Sequence, residues 1–307
     1  MRYWIGITDN KWFSFLEALR PDEVNFWRPS GRGFSALEIG APFLFKLHSP
    51  LNHVVGGGFF VRAERLPLSL AWEAFGEKNG ARSHAELSAL IQNYTGSTES
   101  DPEIGCVILN QPFFIPRSNW LPAPHWGRGI MTGKTFDSAM PEGARLWEDV
   151  RPWLPSFEPS EPEVAILPAV SEAPRLYGKE YLQRSRLGQG AFRVLVTDAY
   201  NRRCTISGER TLPVLQASHI KPYGKGPNRV DNGLLLRSDL HILFDRGYIT
   251  VTPDHHVEVS PRIKEQYENG RDYYQYHGRS LVKLPVAQAD QPNSGFLTWH
   301  NETVFRG

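Results

Sequence analysis

Apolar and polar positions fall into short runs through the first half of the chain. RYWIGIT (2–8), APFLFKLHS (41–49), HVVGGGFFVRAERL (53–66) and EIGCVILNQPFFI (103–115) are strand-length stretches rich in β-branched and aromatic residues and separated by turn formers. Such runs read as strands buried on one or both faces. A helical spacing replaces this pattern in KWFSFLEALR (11–20) and SHAELSALIQNY (83–94). The order predicts a small, strongly curved sheet or barrel with helices in its connections. Gly56, Gly57 and Gly58 interrupt the third run, where the loss of side chains suits a bulge, a bend or the close approach of a ligand. The segment GIMTGKTFD (129–137), with Lys134, reads as a loop able to reach a polyanion backbone.

The second half has a different rhythm. A helix, GAFRVLVTDAYN (190–201), leads into the knuckle RRCTISGER (202–210), a strand ending at His219, a loop through Asn232 and a short strand LLLR (234–237). A helix follows from Ser238 to about Arg246, with Ser238 expected as its N-cap and Gly247 as the residue just past its end. The run YITVTPDHHVEVS (248–260) predicts a hairpin, with His255 and His256 at its solvated turn, and His300 is expected to pack on a terminal helix. Between the halves lies PSFEPSEPEVAILPAVSEAP (155–174), whose Pro, Glu and Ser content cannot build a core. These patterns predict an α+β protein with an N-terminal domain over 1–154, a linker over 155–174 and a C-terminal domain over 175–307.

Composition adds three points. No run approaches the roughly 18 to 20 apolar residues of a membrane span, and no leader peptide is visible, so a soluble, cytoplasmic protein is expected. Cys106 and Cys204 are far apart and in no CxxC pair, which argues for reduced thiols and against a cysteine-based zinc site. The net charge of +1 is unevenly divided: residues 1–174 hold 15 basic and 20 acidic side chains, residues 175–307 hold 19 and 13. The C-terminal part is therefore the candidate for contact with a polyanion.

His219 on a strand, Asn232 in a loop and His241 on a helix follow one another in a strand-loop-strand-helix order. QASHIKPYG (216–224), VDNGLLLRSDLHILFDRG (230–247) and RCTISG (203–208) together resemble an HNH endonuclease domain, over about residues 184–260. The resemblance implies a ββα-metal fold and phosphodiester hydrolysis. His219 would be the general base, imidazole having an unperturbed pKa near about 6.5. His241 would bind a divalent ion, and Asn232 would hold the loop and orient the base. In one common form of the motif an Asp precedes the base and ligates the metal, but here that position is Ser218. Asp245, four residues after His241 on the same helical face, is the alternative ligand, or else pairs locally. Mg²⁺ or Mn²⁺ suits such a site, and with Ser207 where zinc-stabilised relatives carry a second cysteine, no structural zinc is expected. Arg184, Arg186, Gln189, Arg193 and Lys221, with Lys225 and Arg229, are candidate contacts to the DNA backbone.

The N-terminal part resembles EVE domains of the PUA-like superfamily through YWIG (3–6), FWRPSGRGFSAL (26–37), FLFKLHSP (43–50), VVGGGFF (54–60) and VILNQPFF (107–114), with a longer insertion between the third and fourth strands. That resemblance implies a small barrel whose pocket accepts a flipped, modified base. Trp27 and Phe34 are the aromatic candidates, His48 and Ser49 match the His-Ser pair of the family, and Asn110 is placed for amide contacts. Joined, the two resemblances imply a restriction endonuclease that requires modified cytosine (5-methylcytosine or 5-hydroxymethylcytosine) in double-stranded DNA and acts as a homodimer on it. The alternatives are a nuclease for RNA or unmodified DNA, and a binding module whose nuclease fold is inactive.

Overall fold

A computed structural model of the protein describes residues 1–29, 33–127, 129–155, 187–222 and 225–307. All of the expected linker after Pro155, and Arg184 and Arg186, lie outside the described residues. The chain divides into two compact units, Met1–Ala191 and Phe192–Gly307. Strands and helices occur in both, as the α+β expectation has it.

The first unit is built on seven strands: β1 (Arg2–Thr8), β2 (Glu23–Arg28), β3 (Pro42–Leu47), β4 (His53–Pro67), β5 (Glu103–Phe114), β6 (Leu121–Pro122) and β7 (Gly133–Asp137). Their order is β2-β5-β4-β3-β1-β7, with β6 against β4. Because β1 and β3 are parallel, the chain must cross over between them, and it does so through α1 (Asn10–Leu19) and β2. Asp9 starts α1 by accepting the Lys11 and Trp12 amides at 2.8 and 2.9 Å. The helix then buries Trp12, Phe13 and Leu16 against Phe43, Phe45, Phe60 and Leu109. A second cluster, holding Tyr3, Leu44, Phe59 and Phe113 with Trp147 and Val150 of α4 (Pro141–Val150), completes the core of this unit. α2 (Leu68–Phe75) and α3 (His84–Thr95) fill the connection from β4 to β5, which is the insertion seen in the sequence.

The glycine run is explained by protein backbone. A Cβ at Gly56 would stand 2.3 Å from the Phe113 carbonyl oxygen, and one at Gly57 2.5 Å from that of Phe43. Register shifts fall beside it, between Gly57 and Phe59 and between Phe45 and Lys46, so the glycines let β4 bend while held between β3 and β5. The expected loop at 129–137 is corrected in its second half. Gly133–Asp137 forms β7 on the edge of β1, and Lys134 Nζ lies 4.7 Å from the Phe136 ring centroid. Only Phe136 of that strand is buried, too little apolar signal to announce it.

The second unit opens within α5 (Gln189–Ala199) and continues with β8 (Leu215–His219), β9 (Gly233–Arg237), α6 (Ser238–Asp245), the hairpin β10 (Ile249–Val251) and β11 (Val257–Val259), α7 (Arg262–Tyr267), α8 (Arg271–Tyr274) and α9 (Ser294–Thr303). Phe192, Val196, Leu234, Leu236, Leu240 and Phe244 are at the centre of its core. The predicted helix, hairpin and strand pair are all present. Gly247, at φ 74°, ends α6 as expected, but Ser238 is not its cap. Arg237 occupies that position without a side-chain cap bond and pairs instead with Asp239 at 2.6 and 2.8 Å. Cys106 and Cys204 are buried and free, and Cys204 Sγ accepts the Ser207 and Arg237 amides at 3.4 and 3.3 Å.

Candidate functional site

The β8–β9 ladder ends where His219 pairs with Gly233, so the His219 side chain emerges where the strand gives way to the loop. Its ring lies flat on Phe192, with centroids 3.9 Å apart and planes 10° from parallel. At its edge Asn228 Oδ1 is 2.8 Å from Nε2, and Asn228 is itself 1% exposed. An amide oxygen only accepts, so Nε2 carries the proton in this pair and Nδ1 is the basic nitrogen of the neutral ring. Burial disfavours the imidazolium and pushes the His219 pKa below its ordinary value, against the opposing effects of Asn228 and the Asp245 carboxylate; His241 acts in the same direction as burial.

Asn232, fully buried, ties the loop rather than touching the ring through any of its three hydrogen bonds here. Its Oδ1 accepts the Lys221 amide at 2.9 Å, and its Nδ2 donates to the Lys221 and Pro227 carbonyls at 3.0 and 2.9 Å. The loop from 220 to 232 is thereby closed at its base. Asn228 is the residue that sequence reasoning missed: the loop KGPNRVDNG offers two asparagines, and only the folded path of the loop decides which one reaches the imidazole.

α6 follows β9 directly and points His241 back at β8. Nδ1 of His241 lies 2.7 Å from Gln216 Oε1, and Nε2 lies 3.2 Å from Asp245 Oδ2, one turn along the helix. Since the Gln216 oxygen accepts, Nδ1 donates, and Nε2 faces the carboxylate either as an imidazolium N–H or as a lone pair. A neutral Nε2 and a carboxylate oxygen 3.2 Å apart stand at the separation of two neighbouring ligands of one cation. Ions such as Mg²⁺ require only one or two protein ligands of this kind, since they keep much of their water. The residues present fit such an ion as a pair: among the described residues no group of three or more His, Cys, Asp or Glu is placed to hold one. Ser218 is fully buried, and among the described residues its hydroxyl has no hydrogen-bond partner.

The candidate backbone contacts are dispersed in character. Gln189 is exposed at the start of α5 and Arg193 is half-buried one turn later. Lys221 Nζ lies 5.7 Å from the Trp299 ring centroid, and Arg229 is paired with Asp231, its Nε 3.0 Å from Oδ1.

In the first unit, Trp27 donates its indole N–H to the Asn79 carbonyl at 2.8 Å and meets Tyr94 edge-on, 6.0 Å between centroids at 64°. Both line a cleft of about 510 Å³ between α1, the end of β2 and α3, a size in the range of small-ligand sites. Of the five base-binding candidates, Trp27 alone lines it among the described residues. Phe34 stands edge-on to Trp4 and Phe60, at 5.2 and 5.5 Å. His48 and Ser49 are exposed after β3, and Asn110 is buried in β5 opposite Glu23.

Residues 204–252 match the HNH endonuclease family. The match runs from the Cys204 knuckle through His219, Asn232, His241 and Asp245, and it supports nuclease activity in this unit. No curated protein is similar to the chain. Among solved structures, ASCH from Zymomonas mobilis is 16% identical, covering 41% of this chain and 88% of its own at a TM-score of 0.27. A point mutant of ZmASCH from the same organism is 13% identical, with coverages of 48% and 97% and a TM-score of 0.32. The modification dependent TagI restriction endonuclease is 13% identical, with coverages of 92% and 75% and a TM-score of 0.29. Scores this low give these likenesses no weight for fold or function.

Proposed function

We propose that the protein is a modification-dependent DNA endonuclease, with a reader of modified cytosine in residues 1–154 and a metal-assisted nuclease in residues 175–307. The observation that carries the nuclease half is the His241–Asp245 pair, 3.2 Å apart, in a segment that matches the HNH endonuclease family and also holds His219. In this reading His219 takes the proton of the attacking water through Nδ1, while Asn228 holds the ring edge and Phe192 its face. His241 and Asp245 hold a divalent ion, Mg²⁺ or Mn²⁺. When bound, that ion supplies charge stabilisation at the leaving oxygen and the phosphate. Asn232 keeps the loop closed, and Gln189, Arg193 and Lys221, with Arg184 and Arg186, meet the phosphates.

The reader half rests on the segments that resemble EVE domains and on an aromatic cleft of ligand size at Trp27. Phe34, His48, Ser49 and Asn110, the other residues expected from that resemblance, do not line this cleft among the described residues. A base rotated out of the duplex is read by stacking and by its polar edge, at an unstacking cost of about a few kcal/mol. One HNH site cuts one strand, so a double-strand break requires a second copy on the DNA.

Digestion of the same DNA prepared with 5-methylcytosine, with 5-hydroxymethylcytosine and without modification, across a metal panel, tests both halves. Cleavage confined to modified DNA with Mg²⁺ or Mn²⁺ is the expected result. Equal digestion of all substrates removes the reader and leaves the nuclease, while no cleavage with any metal removes the nuclease.

A further inference from the structure

The α2–α3 insertion gives the first unit more than bulk. It contributes Arg82 and Tyr94 to the cleft at Trp27, facing Asp9, Lys11 and Trp12 from the start of α1. Trp27 and Tyr94 form a corner of two rings at 64°. A planar ring seated on one of them has the other against its edge, an arrangement aromatic groups favour. The polar groups of the corner are unequally occupied. Asp9 Oδ1 is taken by the two amides that start α1, while Oδ2, among the described residues, has only a long 3.4 Å contact from the Tyr94 hydroxyl. Trp12, 5% exposed, has an indole N–H that meets no acceptor among the described residues. Lys11 and Arg82 are exposed, and among the described residues neither is in an ion pair.

A carboxylate oxygen can accept from the exocyclic amine of cytosine but meets a second acceptor at the same place in thymine or uracil. The aromatic corner accepts any flat base, and the two cations suit its phosphate. We propose that this cleft, walled on one side by the insertion, is the seat of the flipped nucleotide, with Tyr94 as its stacking residue and Asp9 as its specificity-determining residue, which selects the cytosine amine. The inference rests on the reader proposed above and adds to it a place and a basis for choosing cytosine.

The test uses the full chain and measures affinity for matched duplexes holding cytosine, 5-hydroxymethylcytosine or 5-hydroxymethyluracil at one position. Tyr94→Ala lowers the affinity for the modified duplex about tenfold, whereas Tyr94→Phe keeps most of it. Asp9→Asn, which retains an N-cap oxygen for α1, lowers the preference for 5-hydroxymethylcytosine over 5-hydroxymethyluracil about tenfold. Tyr94 is 57% exposed, so its truncation leaves the core intact. If the wild-type protein prefers modified DNA while Tyr94→Ala keeps its full affinity and Asp9→Asn its full preference, the cleft is not the seat and the reader survives. If the wild-type protein shows no preference, the reader falls and this inference falls with it.

Discussion

His219 is asked to be a base, and its surroundings set the pH at which it can be one. Burial lowers its pKa, so the ring stays neutral in more acid solution than a free histidine does. Cleavage should therefore hold as pH falls through about 6.5 and decline only below it, with the midpoint of the acid limb read from single-turnover rates. His219→Ala should reduce the rate by about 10² to 10⁴ while DNA binding persists. The Asn228 hydrogen bond raises the His219 pKa against burial, so Asn228→Ala should move the acid limb further down and slow the reaction, the ring having lost its edge contact. The histidines and Asn232 were readable because their order along the chain carries the motif. Asn228 was not, because no spacing rule says which asparagine of a folded loop meets a ring.

At the level of elements, legibility followed apolar content. β1, β3, β4 and β5 and helices α1, α3 and α5 announce themselves by buried side chains at strand or helix spacing. β2 does not, because its buried positions include Glu23 and Asn25, polar residues whose partners lie far along the chain. Lys78 Nζ lies 2.9 Å from Glu23, and Asn25 donates to Asn79 at 2.9 Å, both partners coming from the segment just after α2. Packing also fixes a pH dependence in the second unit. His300 of α9 stacks on Phe244 of α6 at 3.8 Å and donates to its carbonyl, and burial drives its pKa down to about 4. Between about 6.5 and that value the unfolded chain binds a proton that the folded protein refuses, so stability is lost on acidification. The loss should reach on the order of 3 kcal/mol, visible as a falling denaturation midpoint from pH 6.5 to 4 that His300→Gln removes in large part.

For the whole molecule, the consequential feature is that a unit matching the HNH endonuclease family over 204–252 is joined to a domain proposed to choose its target. On supercoiled plasmid carrying modified cytosine, nicked circles should dominate at low protein concentration and linear product should rise steeply with concentration; linear product at a fixed share throughout would argue against assembly of two copies. Among the described residues no helix is long and apolar enough to cross a membrane. The sequence by itself determined the α+β class and the order of the elements through local periodicity, and its resemblance to an HNH domain singled out His219, Asn232, His241 and Asp245 as candidates. Tertiary structure decided what lies between elements distant in sequence: the closing of β4 between β3 and β5, the pairing of His219 with Asn228 and Phe192, and the corner formed by Trp27 and Tyr94. Contacts of that kind depend on how the chain returns to itself, and local patterns of polar and apolar residues do not encode that path.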